Sequence, residues 1–223
     1  MTSPRAISQS TRAILFDHDG TLIDSEQVHY EIWRTVLRQH GVSLSEAFYS
    51  DVMAGIPVAQ NAVDAVTTFK LPVAAESLAE EKHEQTRSYL AEQPFPLMPH
   101  AIQTIKKCYQ SGYQLAIVTG GSRISVERTL EARNLRHMFS ATVSVEDVTD
   151  SKPAPDCYLL AMKKLGRQPH ECVAVEDTEH GMRAAVNAGV PCVVIPTVHS
   201  AGHNFNDATS RYSSLQAWWM LES

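Results

Sequence analysis

The chain has no C-x-x-C pair, no long apolar run and no excess of positive charge. Its four cysteines, Cys108, Cys157, Cys172 and Cys192, are scattered, and three of them stand among apolar residues. Buried free thiols are therefore expected in place of a disulfide frame, and the cytoplasm is the expected compartment. No apolar stretch approaches the roughly 20 residues of a membrane helix, so no membrane partner is expected. The formal charge of −6 gives nucleic acid no electrostatic foothold. The polar segment Met1–Arg12 has no apolar stretch of the secretory kind and is expected to be a loose tail.

What is present is ordinary in amount and informative in order. Hydrophobic residues make up 43% and charged residues 20% of 223 positions, enough for one globular domain with an insertion. The apolar run Ala13-Ile14-Leu15 reads as a buried strand. A helical pattern follows, with Val28, Ile32, Val36 and Leu37 on one face and His40-Gly41 as a stop. Further helices are expected around Ala59–Phe69 and Ala75–Leu90, with no strand over 24–92. Three prolines within Gln93–Pro99 mark a linker. Strand and helix then alternate: helix Ile102–Gln110, strand Tyr113–Val118, helix Ser122–Arg133 with Ser122 as N-cap, a short strand Ala141–Val145, and helix Pro155–Leu165. Strand Cys172–Val175, helix Glu179–Ala188 and strand Cys192–Ile195 follow. Trp218 and Trp219 are expected to pack a last helix onto the core.

That alternation predicts an α/β fold, a doubly wound parallel sheet with helices on both faces. Right-handed crossovers place every strand's C-terminal end on one edge, where ligands of such sheets bind. The helical block, 24–93, reads as a cap inserted into a core made of 13–23 and 94–223. A cap there can close over the site and exclude water.

Four polar clusters fall at strand ends or in the loops after them. Asp17 and Asp19 close the first strand, ahead of Gly20 and Thr21. Thr119-Gly120-Gly121-Ser122 follows the second. Lys152 stands in Ser151-Lys152-Pro153-Ala154-Pro155-Asp156, and Glu176-Asp177 ends a later strand. Paired carboxylates at one edge are costly unless a cation or proton transfer offsets their charge. Asp17 is placed to attack phosphorus. Asp19, two residues on, can protonate the leaving oxygen and deprotonate water. Mg²⁺ fits the oxygen set of Asp17, the Asp19 backbone carbonyl and Asp177, with Glu176 adding a direct or water-mediated contact. Thr119 offers a hydroxyl to hold the phosphate, Gly120 brings bare amides to it at a helix N-terminus with Gly121 grouped beside it as substrate-binding, and Lys152 supplies a compact positive charge to pair with both Asp17 and the phosphate. His18, between the aspartates, is expected to point away from Asp17 into packing.

The pieces FDHDGTLIDSE (16–26), VTGGS (118–122), SKPAPD (151–156) and VEDTEHG (175–181), in this order and spacing, resemble the haloacid dehalogenase superfamily. Within it, the helical-cap subgroup of β-phosphoglucomutase-like proteins is the nearest match. The resemblance runs from about Ala13 to Trp219. It implies a Rossmann-like core with a helical cap and Mg²⁺-dependent phosphatase action on a small phosphorylated metabolite, with a sugar phosphate the expected class, through an aspartyl-phosphate. It also implies that His29 lies near the active site and that Gly55 and Ile56 belong to the cap's specificity loop. Read from the residues alone, His29 is equally a cap-core or surface residue, and Gly55-Ile56 equally a plain turn. Thr21 is grouped with the substrate-binding positions.

Departures narrow the reaction. Asp19 counts against the dehalogenases and the phosphonoacetaldehyde hydrolases, which replace it. Mutase relatives carry a cap-loop arginine, whereas no arginine occurs here between Arg38 and Arg87; simple hydrolysis is favoured over a phosphosugar mutase. Phosphoglycolate phosphatase is the other rival within the superfamily. An inactive relative that only binds phosphate ligands is the rival from another class. The expected partner is a small phosphorylated metabolite, and the expected assembly a monomer or weak homodimer.

Overall fold

The computed structural model describes residues 6–222. Strand β1 (Ala13–Phe16) is buried along its whole length, as a central strand covered on both faces must be. The chain then leaves the sheet for an all-helical unit, Ser25–Phe95, and returns at Pro96 to complete a second compact unit.

The helical unit holds α1 (Glu26–Gln39), the short α2 (Glu46–Phe48), a π-helical turn over Tyr49–Met53, α3 (Val58–Phe69) and α4 (Ala75–Glu92). Helix α1 buries Ile32, Trp33, Val36 and Leu37, a stripe at helical spacing. They pack with Ala62 and Ala65 of α3 and Leu78 of α4. His40 and Gly41 end α1, as expected. The π-helical turn, which periodicity does not announce, has its C-terminal side pinned by Asn61, whose side-chain amide donates to the carbonyls of Met53 (3.0 Å) and Ile56 (3.1 Å).

The other unit resumes with α5 (Ala101–Gln110), β2 (Gln114–Val118), α6 (Arg123–Ala132), β3 (Phe139–Val143), α7 (Asp156–Leu165) and β4 (Cys172–Glu176). It ends with α8 (Glu179–Asn187), β5 (Cys192–Val194), β6 (Ser210–Arg211) and α9 (Leu215–Glu222). The sheet order is β3-β2-β1-β4-β5-β6, with every pairing parallel. Alternation along β1 sends Ile14 and Phe16 to one face and Ala13 and Leu15 to the other. The first face packs under α5, α6 and α9, with Ile105, Leu130 and Trp218. The second packs under α7 and α8, where Ala116, Ala174, Ala184 and Ala185 let the helices approach closely. The result is a Rossmann-like α/β core. All four cysteines are buried free thiols, and no helix among the described residues is long and apolar enough to cross a membrane.

The segments that leave and re-enter the core are bonded to each other. The Asp24 amide donates to the Pro96 carbonyl (2.8 Å) and the Met98 amide to the Leu22 carbonyl (3.0 Å).

The structure departs from expectation at three places. Two-residue β6 is too short to show in the sequence pattern. Ser122 is the N-cap of α6 but its side chain makes no cap bond, and the amide of the first helical residue, Arg123, donates to both oxygens of Glu146 (3.1 and 3.0 Å). The expected loose tail over 1–12 lies outside the described residues as far as position 5, and beyond that it is tied down. Glu222, 4% exposed, accepts from the backbone amides of Ala6 (3.0 Å) and Ile7 (2.8 Å) and from the Tyr212 hydroxyl (2.7 Å). Local patterning cannot foresee a bond between residues so far apart in the chain. Trp218 and Trp219 pack onto the core as expected, Trp218 edge-on to Phe16 with ring centroids 6.0 Å apart.

Replacing Glu222 strands these donors in a buried place. Glu222→Ala is expected to lower stability by about 1–3 kcal/mol in urea unfolding, and to raise hydrogen exchange at the Ile7 amide. Wild-type exchange at Ile7 would show that the clamp does not hold the segment.

Candidate active site

Asp17 is the first residue past β1. Its amide continues the ladder by donating to the Val175 carbonyl (2.9 Å), which fixes the side chain at the carboxyl edge of the sheet. The chain then turns sharply. The amides of Leu22 and Ile23 both reach the His18 carbonyl, and Gly20 donates to the Ile23 carbonyl. Gly20 sits at φ +80°, and a Cβ there would overlap the Asp177 carboxylate. Both conditions call for glycine.

Lys152 reaches this point from the loop before α7. Its ammonium donates to Asp17 Oδ1 (2.6 Å), Glu176 Oε1 (2.6 Å) and the Val118 carbonyl (2.8 Å). Those three bonds use all three of its protons, so its orientation is fully determined. Asp177 follows Glu176 at the end of β4. Asp17, Glu176 and Asp177 each place a carboxylate oxygen within 4.8 Å of the others'. All three are buried, and among the described residues Asp17 Oδ2, Glu176 Oε2 and Asp177 Oδ1 have no hydrogen-bond partner.

The electrostatics follow from that crowding. Burial raises the Asp17 pKa, the Asp19 charge adds to the rise, and Lys152 opposes it. Burial also raises Asp177 well above the usual carboxylate range, reinforced by the charges of Asp17 and Glu176. Glu176 is pushed up to about 7, chiefly by burial, against the pull of Lys152. Burial works to lower the Lys152 pKa, but Asp17 and Glu176 outweigh it and hold the ammonium charged. One ammonium cannot neutralise three buried carboxylates. Three unpartnered oxygens on three acidic side chains are a donor set suited to a hard divalent cation.

Asp19 stands apart in exposure. Its side chain is 33% accessible, against 7% for Asp17. Thr119, just past β2, donates its hydroxyl to Asp19 Oδ2 (3.2 Å) and accepts from the Gly121 amide (2.8 Å). His18 is fully buried and turned to α6, as expected. The Thr129 hydroxyl donates to the Ser125 carbonyl, so the His18 Nε2 is the donor in its 3.1 Å bond to Thr129. Its Nδ1 stands 3.7 Å from Asp19 Oδ2. The Thr21 hydroxyl is buried with no partner among the described residues.

The structure thus brings Asp17, Asp19, Thr119, Lys152, Glu176 and Asp177 to one sheet edge. Gly120 and Gly121 lie beside them, with the Gly121 amide donating to Thr119 Oγ1 (2.8 Å) and the first amide of α6, that of Arg123, donating to Glu146. His29, Gly55 and Ile56 belong to the helical unit. The His29 ring accepts at Nδ1 from the buried Lys82 ammonium (2.8 Å) and lies edge-on to Phe95. Gly55, at φ +71°, and Ile56 follow the π-helical turn.

Sequence reasoning passed over three residues here. Tyr158, fully buried in α7, donates its hydroxyl to Glu176 Oε1 (2.5 Å). Gly181, in the first turn of α8, has no room for a side chain because a Cβ would overlap the Glu176 carboxylate. Lys82 is 2% exposed. For Tyr158 the available signal is an aromatic hydroxyl half a turn past Asp156, in the helix that the lysine loop opens. Gly181 stands where a helix would favour a side chain. For Lys82 the spacing is the signal, four residues after Leu78 and three after Ala79 on the buried face of α4, and only its charge reads as solvated.

The chain is similar to known proteins over most of its length. Residues 11–189 match the family model described as haloacid dehalogenase-like hydrolase. The chain is 33% identical over 183 residues to the fructose-1-phosphate phosphatase YqaB of Escherichia coli (strain K12), covering 81% of this chain and 94% of that protein. It is 30% identical over 196 residues to the validoxylamine A 7'-phosphate phosphatase of Streptomyces hygroscopicus subsp. limoneus, covering 85% of this chain and 88% of that one. Among solved structures, CbbY of Rhodobacter sphaeroides in complex with phosphate superposes with a TM-score of 0.80 at 28% identity, covering 92% and 95% of the two chains.

The raised carboxylate pKa values have a sign that can be checked. Glu176 titrates near 4.5 when unfolded and near 7 when folded, so its contribution to stability is complete below the lower value. It is lost as pH rises through the higher one. Thermal melts in EDTA are expected to fall across that window, and to fall less in Glu176→Gln. Equal slopes for the two proteins would remove Glu176 as the cause.

Proposed function

The chain belongs to the haloacid dehalogenase-like hydrolases, and from that membership we propose that it is a Mg²⁺-dependent phosphatase of small phosphorylated metabolites, sugar phosphates foremost, acting through an aspartyl-phosphate on Asp17. The observation that carries the proposal is the Lys152 ammonium, 2.6 Å from Asp17 and 2.6 Å from Glu176, in a rim that also holds Asp19 and Thr119. An aspartate with a fixed cation beside it, and a second, accessible carboxyl two residues on, is equipped for phosphoryl transfer.

In this reading a carboxylate oxygen of Asp17 attacks phosphorus and the ester P–O bond breaks. The departing oxygen takes its proton from Asp19, which Thr119 orients through the hydroxyl bond to Oδ2. Asp19, now ionised, removes a proton from water, and that water attacks phosphorus. The Asp17–phosphorus bond breaks, inorganic phosphate leaves and Asp17 is restored. Lys152 offsets the negative charge of nucleophile and phosphoryl group throughout. Asp17, Glu176 and Asp177, with the Asp19 backbone carbonyl, are the ligands assigned to Mg²⁺, which when bound neutralises charge on the transferred phosphoryl oxygens. Thr21, Gly120 and Gly121 are assigned to the phosphate.

The helical unit is assigned the part of a cap, with His29, Gly55 and Ile56 as its substrate-facing positions. The relatives' names, a fructose-1-phosphate phosphatase and a validoxylamine A 7'-phosphate phosphatase, support a phosphorylated carbohydrate as substrate. The absence of arginine between Arg38 and Arg87 supports hydrolysis over isomerisation, because a mutase must also hold a second phosphate.

Asp17→Asn is expected to leave the fold intact and cut turnover of p-nitrophenyl phosphate by about a thousandfold or more. Near-normal turnover by the pure variant would overturn the assignment. Assayed against a panel of sugar phosphates, nucleotides and phosphoglycolate, the wild-type chain is expected to release inorganic phosphate only when Mg²⁺ is supplied. Phosphorus NMR showing an isomeric sugar phosphate as product would identify a mutase instead.

A further inference from the structure

Tyr158 has no part in the steps above, yet it touches both groups that flank the nucleophile. Its side chain is fully buried. The hydroxyl lies 2.5 Å from Glu176 Oε1, the same oxygen that Lys152 bonds, and the ring centroid is 5.4 Å from the Lys152 ammonium. We propose that Tyr158 is a positioning residue of this site: its hydroxyl and the Lys152 ammonium together hold Glu176 Oε1, leaving Oε2 as the oxygen offered to the cation, while the ring backs the ammonium against Asp17.

The geometry allows one assignment of donors. A carboxylate only accepts, so the phenol donates to Glu176. Burial raises the Tyr158 pKa well above the ordinary phenol value, with the Glu176 charge adding to the rise, so the hydroxyl keeps its proton. Glu176 Oε1 then has two donors and Oε2 none among the described residues. Rotation of the carboxylate about its last torsion would exchange the two oxygens. The single bond from Lys152 leaves the plane of the carboxylate free to turn about it, whereas a second donor on Oε1 fixes that plane and with it the direction of Oε2. The ring adds an attraction between its face and the ammonium inside a desolvated site. Outer-shell partners of this kind orient metal ligands, and their loss typically weakens metal affinity by about 10–100-fold.

The catalytic consequence rests on the phosphatase reading; the metal consequence rests on the acidic cluster alone, and one experiment separates them. Tyr158→Phe keeps the ring and removes the hydroxyl. Calorimetric titration of the intact chain with Mg²⁺ is expected to show about tenfold weaker binding in Tyr158→Phe. Turnover of p-nitrophenyl phosphate at saturating Mg²⁺ is expected to fall in kcat more than to change in KM. In a Glu176→Gln background the same substitution is expected to leave Mg²⁺ affinity unchanged, since the partner is gone. Wild-type Mg²⁺ affinity in Tyr158→Phe overturns the proposal, as does an equal weakening with Glu176→Gln present. A wild-type chain that binds Mg²⁺ but hydrolyses no phosphate ester overturns the phosphatase reading and leaves the calorimetric result to decide the part played by Tyr158.

Discussion

Three carboxylates packed around one ammonium, almost wholly removed from solvent, set the terms for the rest of this molecule. Burying like charges is unfavourable unless opposite charge or hydrogen bonds compensate, and Lys152 compensates only in part. The neighbouring structure is organised around that shortfall. The β1–β4 register sets Phe16 opposite Val175, so the residues that follow, Asp17 and Glu176, emerge next to each other. The Val118 carbonyl at the end of β2 takes the third proton of Lys152. Glycine at 20 and 181 leaves space for Asp177 and Glu176. What remains uncompensated is a set of bare oxygens, and their chemistry points to a hard cation.

Charge is distributed by distance from this centre. Asp17, Glu176 and Asp177 are almost fully buried, whereas Asp19 is one-third open and hydrogen-bonded to a neutral hydroxyl. Under the proposed reaction that contrast would separate the groups beside the cation from the one that exchanges protons with substrate and water. His18 reinforces the division. Its ring is turned away from Asp17, bonded to Thr129 and set near the outer oxygen of Asp19.

Much of this was legible in the chain because both fold and site follow from strong local signals. The apolar runs Ala13–Phe16 and Cys172–Val175, set in an alternation of strands and helices, read as buried strands, as they are, and a parallel sheet obliges their ends to share an edge. The strand-end positions of Asp17, Asp19, Thr119, Glu176 and Asp177, and of the Lys152 loop, follow from that edge. The residues that stayed hidden depend on contacts without a local signature. Tyr158 reads as an ordinary apolar position of α7 until Glu176 is seen beneath it. Glu146 takes the first amide of α6 from across a loop, and Glu222 captures Ala6 and Ile7 from the far end of the chain. Lys82 looks solvated because charge on a helix normally is, yet it is buried against His29.

The hydrogen bonds joining Asp24 to Pro96 and Leu22 to Met98 give the core a seam at the point where the helical unit is spliced in. Because the two sides of the seam already hold each other, the sheet is indifferent to how much chain is looped out between them. Selection can lengthen, shorten or rewrite that loop without disturbing the carboxylates a few residues away. One reaction centre can thus be handed down unchanged while descendants diverge in what they accept.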